Sequence, residues 1–266
     1  LSEACTNGSV ALVDLLLKAG ANPNTPIGTG VPPIMTCARS GSVDAVKRLV
    51  AGDADVNAKE PAQNQTALMW AASQRHPDVV RTLIDAKASL QAHTKSGFTA
   101  LHFAAREGDV ESARLLLAAG VNINVRSQPD LPQTAPDAEE GNPLAGRRAL
   151  SATMSEGATP LLVATLRAQV PLALFLLEQG ADPNVGDAGL MPLHWAAATW
   201  ENGTANPVYG FEEPMAGIAD RQAKLQLVRS LLAHGANPNA RMTRPKPAFA
   251  GGYTDAVGAT PFLLAS

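Results

Sequence analysis

Five histidines, two cysteines and two pairs of adjacent carboxylates are the residues of this chain whose types could do chemistry. The histidines are His76, His93, His102, His194 and His234. Zinc ligation needs clustered imidazoles or thiolates, and neither a His-x-x-x-His nor a Cys-x-x-Cys spacing occurs. Cys5 and Cys37 are too few for a disulfide scaffold or a structural zinc site. Both fall on apolar helix faces, where buried thiols are expected and a bridge between neighbouring repeats is the alternative. Glu139 with Glu140, and Glu212 with Glu213, could in principle share acid–base work, but adjacent acids in Pro-rich stretches read as a solvated face. No Gly-x-Ser-x-Gly elbow, Walker loop or dinucleotide glycine fingerprint is present. The expectation is therefore no catalytic residue, no metal and no cofactor.

Bulk properties narrow the class further. The chain has 266 residues, of which 45% are hydrophobic and 17% charged, a globular balance. Its net charge of -3 supplies no basic field to draw in nucleic acid or an anionic membrane. No apolar run approaches the roughly 20 residues that a membrane helix needs. The compartment is left open.

The elements that would position any site follow from an internal repeat. Thr99-Ala-Leu-His-Phe-Ala-Ala105 leads to Gly108, Val110, Leu115-Leu-Leu117, Gly120 and Asn124, and Thr66-Ala-Leu-Met-Trp-Ala-Ala72 starts the same pattern 33 residues earlier. Further copies start at Pro32, Thr159, Met191 and Thr260, and Gly20-Ala-Asn-Pro-Asn24 closes one more at the beginning. Each copy reads as two short helices. Helix one opens at a Thr-Pro corner, where proline's missing N–H needs no partner. Its small residues, such as Ala104-Ala105, let adjacent copies approach closely. Helix two carries apolar residues at three- and four-residue spacing, as in Val110, Ala113, Leu116 and Leu117. It stops at a left-handed cap, glycine at positions 20, 120, 180 and 235, with Asp53 and Lys87 standing in elsewhere. Neither helix buries its stripe alone, so stability is a sum of units and the interfaces between them.

Thr99-Ala-Leu-His102-Phe-Ala-Ala105, Met191-Pro-Leu-His194-Trp-Ala-Ala197 and Gly235-Ala-Asn-Pro-Asn239 resemble the ankyrin-repeat family. The Asn-Pro-Asn variant and the Ala-rich composition are similar to bacterial members. The resemblance implies an all-α ankyrin-repeat solenoid of stacked helix-turn-helix units with hairpin loops, interrupted by three insertions. The array spans 1–266 as units of about 1–24, 25–57, 58–91, 92–124, 157–184, 185–239 and a partial 259–266. The insertions are about 127–156, 200–222 and 242–258. In this family His102 and His194 hydrogen-bond backbone around the Thr-Pro corner. The family binds partners through hairpin tips and the first helices. Carried onto this sequence, that surface is Gln63, Asn64, Gln65, Lys95, Ser96, Phe98, Asp187, Ala188 and Leu190 at the tips. It continues over Arg39, Ser40, Ser73, Gln74, Arg106, Glu107 and Arg167 at the ends of helix one.

The insertions add aromatics: Trp200, Tyr209, Phe211, Phe249 and Tyr253. Two readings stand for them, plugs of the solenoid edge or anchors for a partner. Trp70, Phe103 and Trp195 occupy the repeat's apolar position and are expected in the core. The expected function is a non-catalytic scaffold that holds a protein partner, with no nucleic acid and no membrane insertion. The alternative is a homo-oligomer, a solenoid that assembles head to tail. The lesser alternative is the interaction arm of a larger multidomain protein.

Overall fold

The computed structural model describes residues 1–128, 157–185, 189–198, 220–243 and 257–265. The chain divides into two compact units, Leu1–Asn122 and Ile123–Ser266. Among the described residues every regular element is a helix.

The first unit holds α1 (Ser2–Thr6), α2 (Val10–Lys18), α3 (Pro33–Arg39), α4 (Val43–Ala51), α5 (Ala67–Ser73), α6 (Pro77–Asp85), α7 (Ala100–Glu107) and α8 (Val110–Ala118). First helices α1, α3, α5 and α7 pack in succession, and second helices α2, α4, α6 and α8 form a parallel layer behind them. The first layer is close because its contact residues are small: Ala38, Ala71, Ala72, Ala104 and Ala105 are fully buried. The second layer buries Val13, Leu49, Leu83 and Leu116.

The second unit holds α9 (Pro160–Leu166), α10 (Val170–Glu178), α11 (Pro192–Ala197), α12 (Arg221–Ala233) and α13 (Pro261–Ala265). The same two layers recur, α9 with α11 and α13, and α10 with α12. Helix α12 begins at Arg221, capped by the Asp220 carboxylate, which accepts from the Gln222 amide at 2.8 Å. Residues 221 and 222, at the end of the expected second insertion, are therefore helical.

Between the helix pairs the chain turns through hairpins closed by backbone bonds. Ile27 N–H donates to the Val31 carbonyl at 3.1 Å, Glu60 to Gln65 at 3.1 Å and Thr94 to Phe98 at 3.0 Å. On either side of the expected first insertion the closure is present: Ser127 donates to Ala158 at 2.9 Å and Gly157 to Ser127 at 2.8 Å. Met242 with Ala259 and Gly258 with Met242 repeat this at the third insertion, at 2.9 and 2.8 Å. An insertion placed between the two legs of a hairpin leaves the helices on either side undisturbed.

A second set of bonds ties one unit's closing loop to the next. In four closing motifs the last asparagine accepts an amide one repeat on: Asn24 from Asp55 at 2.7 Å, Asn57 from Ser89 at 2.7 Å, Asn124 from Asp182 at 3.0 Å and Asn184 from Asn237 at 2.8 Å. This explains why asparagine recurs there.

The left-handed caps are as expected, and Asp53 and Lys87 take φ of 63° and 65°. A left-handed L-residue costs roughly 1–2 kcal/mol, partly offset when glycine is substituted by its larger unfolded-state entropy. The exposed Lys87 buries nothing there. Lys87→Gly is expected to stabilise the first unit by about 0.5–1 kcal/mol. A higher urea midpoint at unchanged slope is the signature, and a lower midpoint would show that the lysine side chain holds the loop.

The cysteines depart from expectation. Cys5 of α1 and Cys37 of α3 are fully buried and joined in a disulfide, Cα to Cα 4.4 Å, 32 residues apart. They are not buried thiols. Ala72 and Ala71 hold the corresponding positions further along the array, so each cysteine replaces a small residue at the closest approach of adjacent first helices.

Candidate partner-binding surface

The surface is built on the first-helix layer and the hairpin tips of the first unit. Its best-defined tip is 60–65. The buried Glu60 carboxylate (5% exposed) accepts from the amides of Ala62 at 2.6 Å, Gln63 at 2.8 Å and Gln65 at 2.9 Å. Asn64 takes a left-handed φ of 61° to let those amides converge. The next hairpin clamps this one. Lys95 N–H donates to the Gln63 carbonyl at 3.0 Å, and its ammonium donates to the carbonyls of Pro61 and Ala62 at 2.7 and 2.8 Å.

From the tip the surface runs along two rungs. In the first, the Trp70 indole N–H donates to Gln65 Oε1 at 2.6 Å, and the Arg39 guanidinium lies over the same ring at 5.7 Å. In the second, Phe98 stacks on His102 at 4.9 Å and meets Phe103 edge-on at 6.4 Å, while Arg106 lies over Phe103 at 4.8 Å and pairs with Glu107 at 2.7 Å. Trp70 corrects its core assignment, because it is half-buried, whereas Phe103 and Trp195 are 4% and 1% exposed. One repeat before Trp70 stands Thr36, too small to cover an indole.

The predicted surface residues thus divide. Gln63, Asn64, Gln65 and Lys95 come together in one tip, where Gln65 and Lys95 spend polar groups on the protein itself. Phe98, Arg106 and Glu107 form the second rung. Gln74 is exposed beyond the end of α5. Arg167 is half-buried at the C-cap of α9 in the second unit. Trp200, Tyr209, Phe211, Phe249 and Tyr253, with tip residues Asp187 and Ala188, lie outside the described residues, as do both acidic pairs. Trp70 is the member that spacing alone undervalues, and the signal for it is the small residue one repeat before the indole.

The histidines hold corners. His102 Nδ1 accepts from the Thr99 amide at 3.2 Å and meets the Thr99 hydroxyl at 3.0 Å. His194 Nδ1 accepts from the Met191 amide at 3.0 Å, which leaves the proton on Nε2 to donate to the Ala240 carbonyl at 2.9 Å. Burial pushes the His194 imidazole below its ordinary value, against the carbonyls of Ala240 and Ala259, which favour its charged form. In the unfolded chain the ring protonates below about pH 6.5. The unfolded state then binds the extra proton, so the stability His194 confers is fully present above that pH and is lost as pH falls through the lowered folded value. The stability gap between wild type and His194→Asn is expected to narrow from pH 7 to 5. A gap constant with pH would show that the folded ring titrates normally.

Among the described residues no three His, Cys, Asp or Glu side chains cluster as metal ligands, and no helix is long and apolar enough to cross a membrane.

Paired helices, stacked in two layers and joined by closed hairpins, define a helical repeat protein. The model of ankyrin repeats in three copies matches residues 1–93 and 34–127, and the single-repeat model matches 156–188. The chain belongs to the ankyrin-repeat family. It is 37% identical over 123 residues to the ankyrin repeat and KH domain-containing protein mask-1 of Caenorhabditis elegans, covering 46% of this chain and 5% of that protein. It is 33% identical over 163 residues to protein PhlB of Serratia liquefaciens, covering 59% of this chain and 58% of PhlB. The crystal structure of the human ASB11 ankyrin repeat domain superposes with a TM-score of 0.66 at 22% identity, over 99% of this chain and 95% of that one, and shares its fold. The chain therefore spans a small part of the first relatives and more than half of PhlB.

Proposed function

We propose that this chain is a non-catalytic protein–protein interaction scaffold. Its partner would lie on the hairpin tips and first helices, with Trp200, Tyr209, Phe211, Phe249 and Tyr253 of the insertions as further anchors. Ankyrin repeats are in general interaction modules, and the family assignment supports that class of function. The observation that carries the reading is the half-exposed Trp70 beneath Arg39, since desolvating an indole and a guanidinium is a large source of interface energy. We propose the seven units and three insertions above as the domain plan, with the second insertion drawn in to about 200–219.

Affinity capture from the native source tests this. Wild type is compared with Trp70→Ala and with a chain lacking 200–219, each checked for unchanged melting. Partners lost from either variant support the scaffold reading and locate the contact. Full retention by both would sink this choice of surface.

Head-to-tail self-assembly is the second reading. Leu12 and Leu15 on α2 and Phe262 and Leu263 on α13 are exposed by 41%, 64%, 79% and 61%. Sedimentation as a monomer over a wide concentration range would dispose of it. That the repeats act as the arm of a larger protein is consistent with the small share of mask-1 that they match.

A further inference from the structure

We infer that the partner segment held by the first-helix face of Leu1–Asn122 is an acidic, extended peptide, whose carboxylate forks onto Arg39 beside an apolar side chain seated on Trp70. This deepens the scaffold reading and rests on it. The charge on this face differs from that of the whole chain. Along the hairpin tips and the ends of α3, α5 and α7 stand the cations Arg39, Lys59, Arg75, Lys95 and Arg106. The carboxylates there are Glu3, exposed on α1, Glu60, buried under three amides, Glu107, paired with Arg106, and Asp109, buried at the N-cap of α8. The second-helix layer is balanced: Asp14, Asp44, Asp78, Asp85 and Glu111 face Lys18, Lys47, Arg48, Arg81 and Arg114, several of them in ion pairs. Arg39, Lys59, Arg75 and Lys95 are exposed on this face, while the acids Glu60 and Asp109 are buried.

Geometry selects the form of the ligand. A guanidinium lying over an indole is held in orientation, and its remaining N–H groups form a planar fork matched to a carboxylate. Arg39 is exposed and Trp70 is half-exposed beneath it, so one ligand residue can meet the charge and its neighbour the ring. Adjacent first helices lie about 8–10 Å apart, and an extended chain rises about 3.3 Å per residue. A peptide crossing from the Trp70 rung to the Phe103 rung therefore advances about three residues.

Peptides of about 12 residues, displayed on phage from a random library and long enough to cross three first helices at that spacing, are panned on the immobilised full chain. Selected sequences are expected to be enriched in Asp and Glu around an aromatic or aliphatic residue. The best peptide is then measured by fluorescence anisotropy. Arg39→Gln, and separately the amide version of the peptide, should each weaken binding by roughly tenfold, and Arg39→Lys by less. Lys47→Gln, on the other layer, should leave binding unchanged, and added salt should weaken it. Enrichment of neutral or basic sequences, acidic peptides held equally well by Arg39→Gln, or tighter binding of a labelled single-stranded oligonucleotide than of any acidic peptide would each overturn the inference. A neutral segment captured through Trp70 would do so while leaving the scaffold reading intact. Failure of every captured protein to depend on Trp70 would remove the surface itself.

Discussion

Replacing Cys5 and Cys37 together with alanine lowers the stability of Leu1–Asn122 by about 3–4 kcal/mol, the loop-closure entropy that a cross-link between residues about 30 apart removes from the unfolded chain. Alanine is the right replacement, because Ala72 and Ala71 hold the corresponding positions further along the array and pack there with no exposed surface. The variant thus isolates the cross-link from the packing, which serine would confuse by burying a hydroxyl. Both sulfurs are fully buried, so a reductant reaches them only through opening. Urea unfolding with and without reductant should show a large difference for wild type and none for the double alanine chain. The loss should appear first as faster amide exchange in α1, a five-residue helix that packs on α2 and α3. Equal midpoints in all four conditions, with two thiols free to alkylate in the unfolded wild type, would remove the bond.

The array was legible because its signals are local and repeated. The alternation of a small-residue helix, a left-handed cap and a leucine-rich helix is set within about 33 residues and recurs. The disulfide was not, although its signal exists: each cysteine occupies one of two small-residue positions, and those positions face each other only across a unit boundary. The site was legible as a surface and not as a set of side chains. Lys95 and Gln65 read as free polar groups at loop tips, yet Lys95 spends its ammonium on carbonyls more than 30 residues away and Gln65 accepts from Trp70. Such bonds depend on which hairpin lies alongside, which no single unit encodes. Trp70 misled in the opposite direction, because burial at the repeat's apolar position depends on the size of the residue one unit earlier.

Leu83→Ala is expected to destabilise the first unit by about 2–5 kcal/mol, the range for deleting a fully buried leucine side chain whose surroundings relax only in part. Leu83 has no exposed surface, and α6 packs on α4 and α8 as well as on α5. In a stacked array each unit is stable through its interfaces, so a cavity in an interior helix weakens both of its junctions. Leu15→Ala is the matched control. It removes the same atoms from α2, where the side chain is 64% exposed, and should change the urea midpoint little. The slope of the Leu83→Ala transition carries further information. An unchanged slope means that the unit still unfolds as one, and a reduced slope means that the weakened junction has split it into parts that unfold separately. Equal losses for the two leucines would mean that Leu15 is covered in solution, by a preceding segment or by another copy, and would turn attention from the first-helix face to the end of the array.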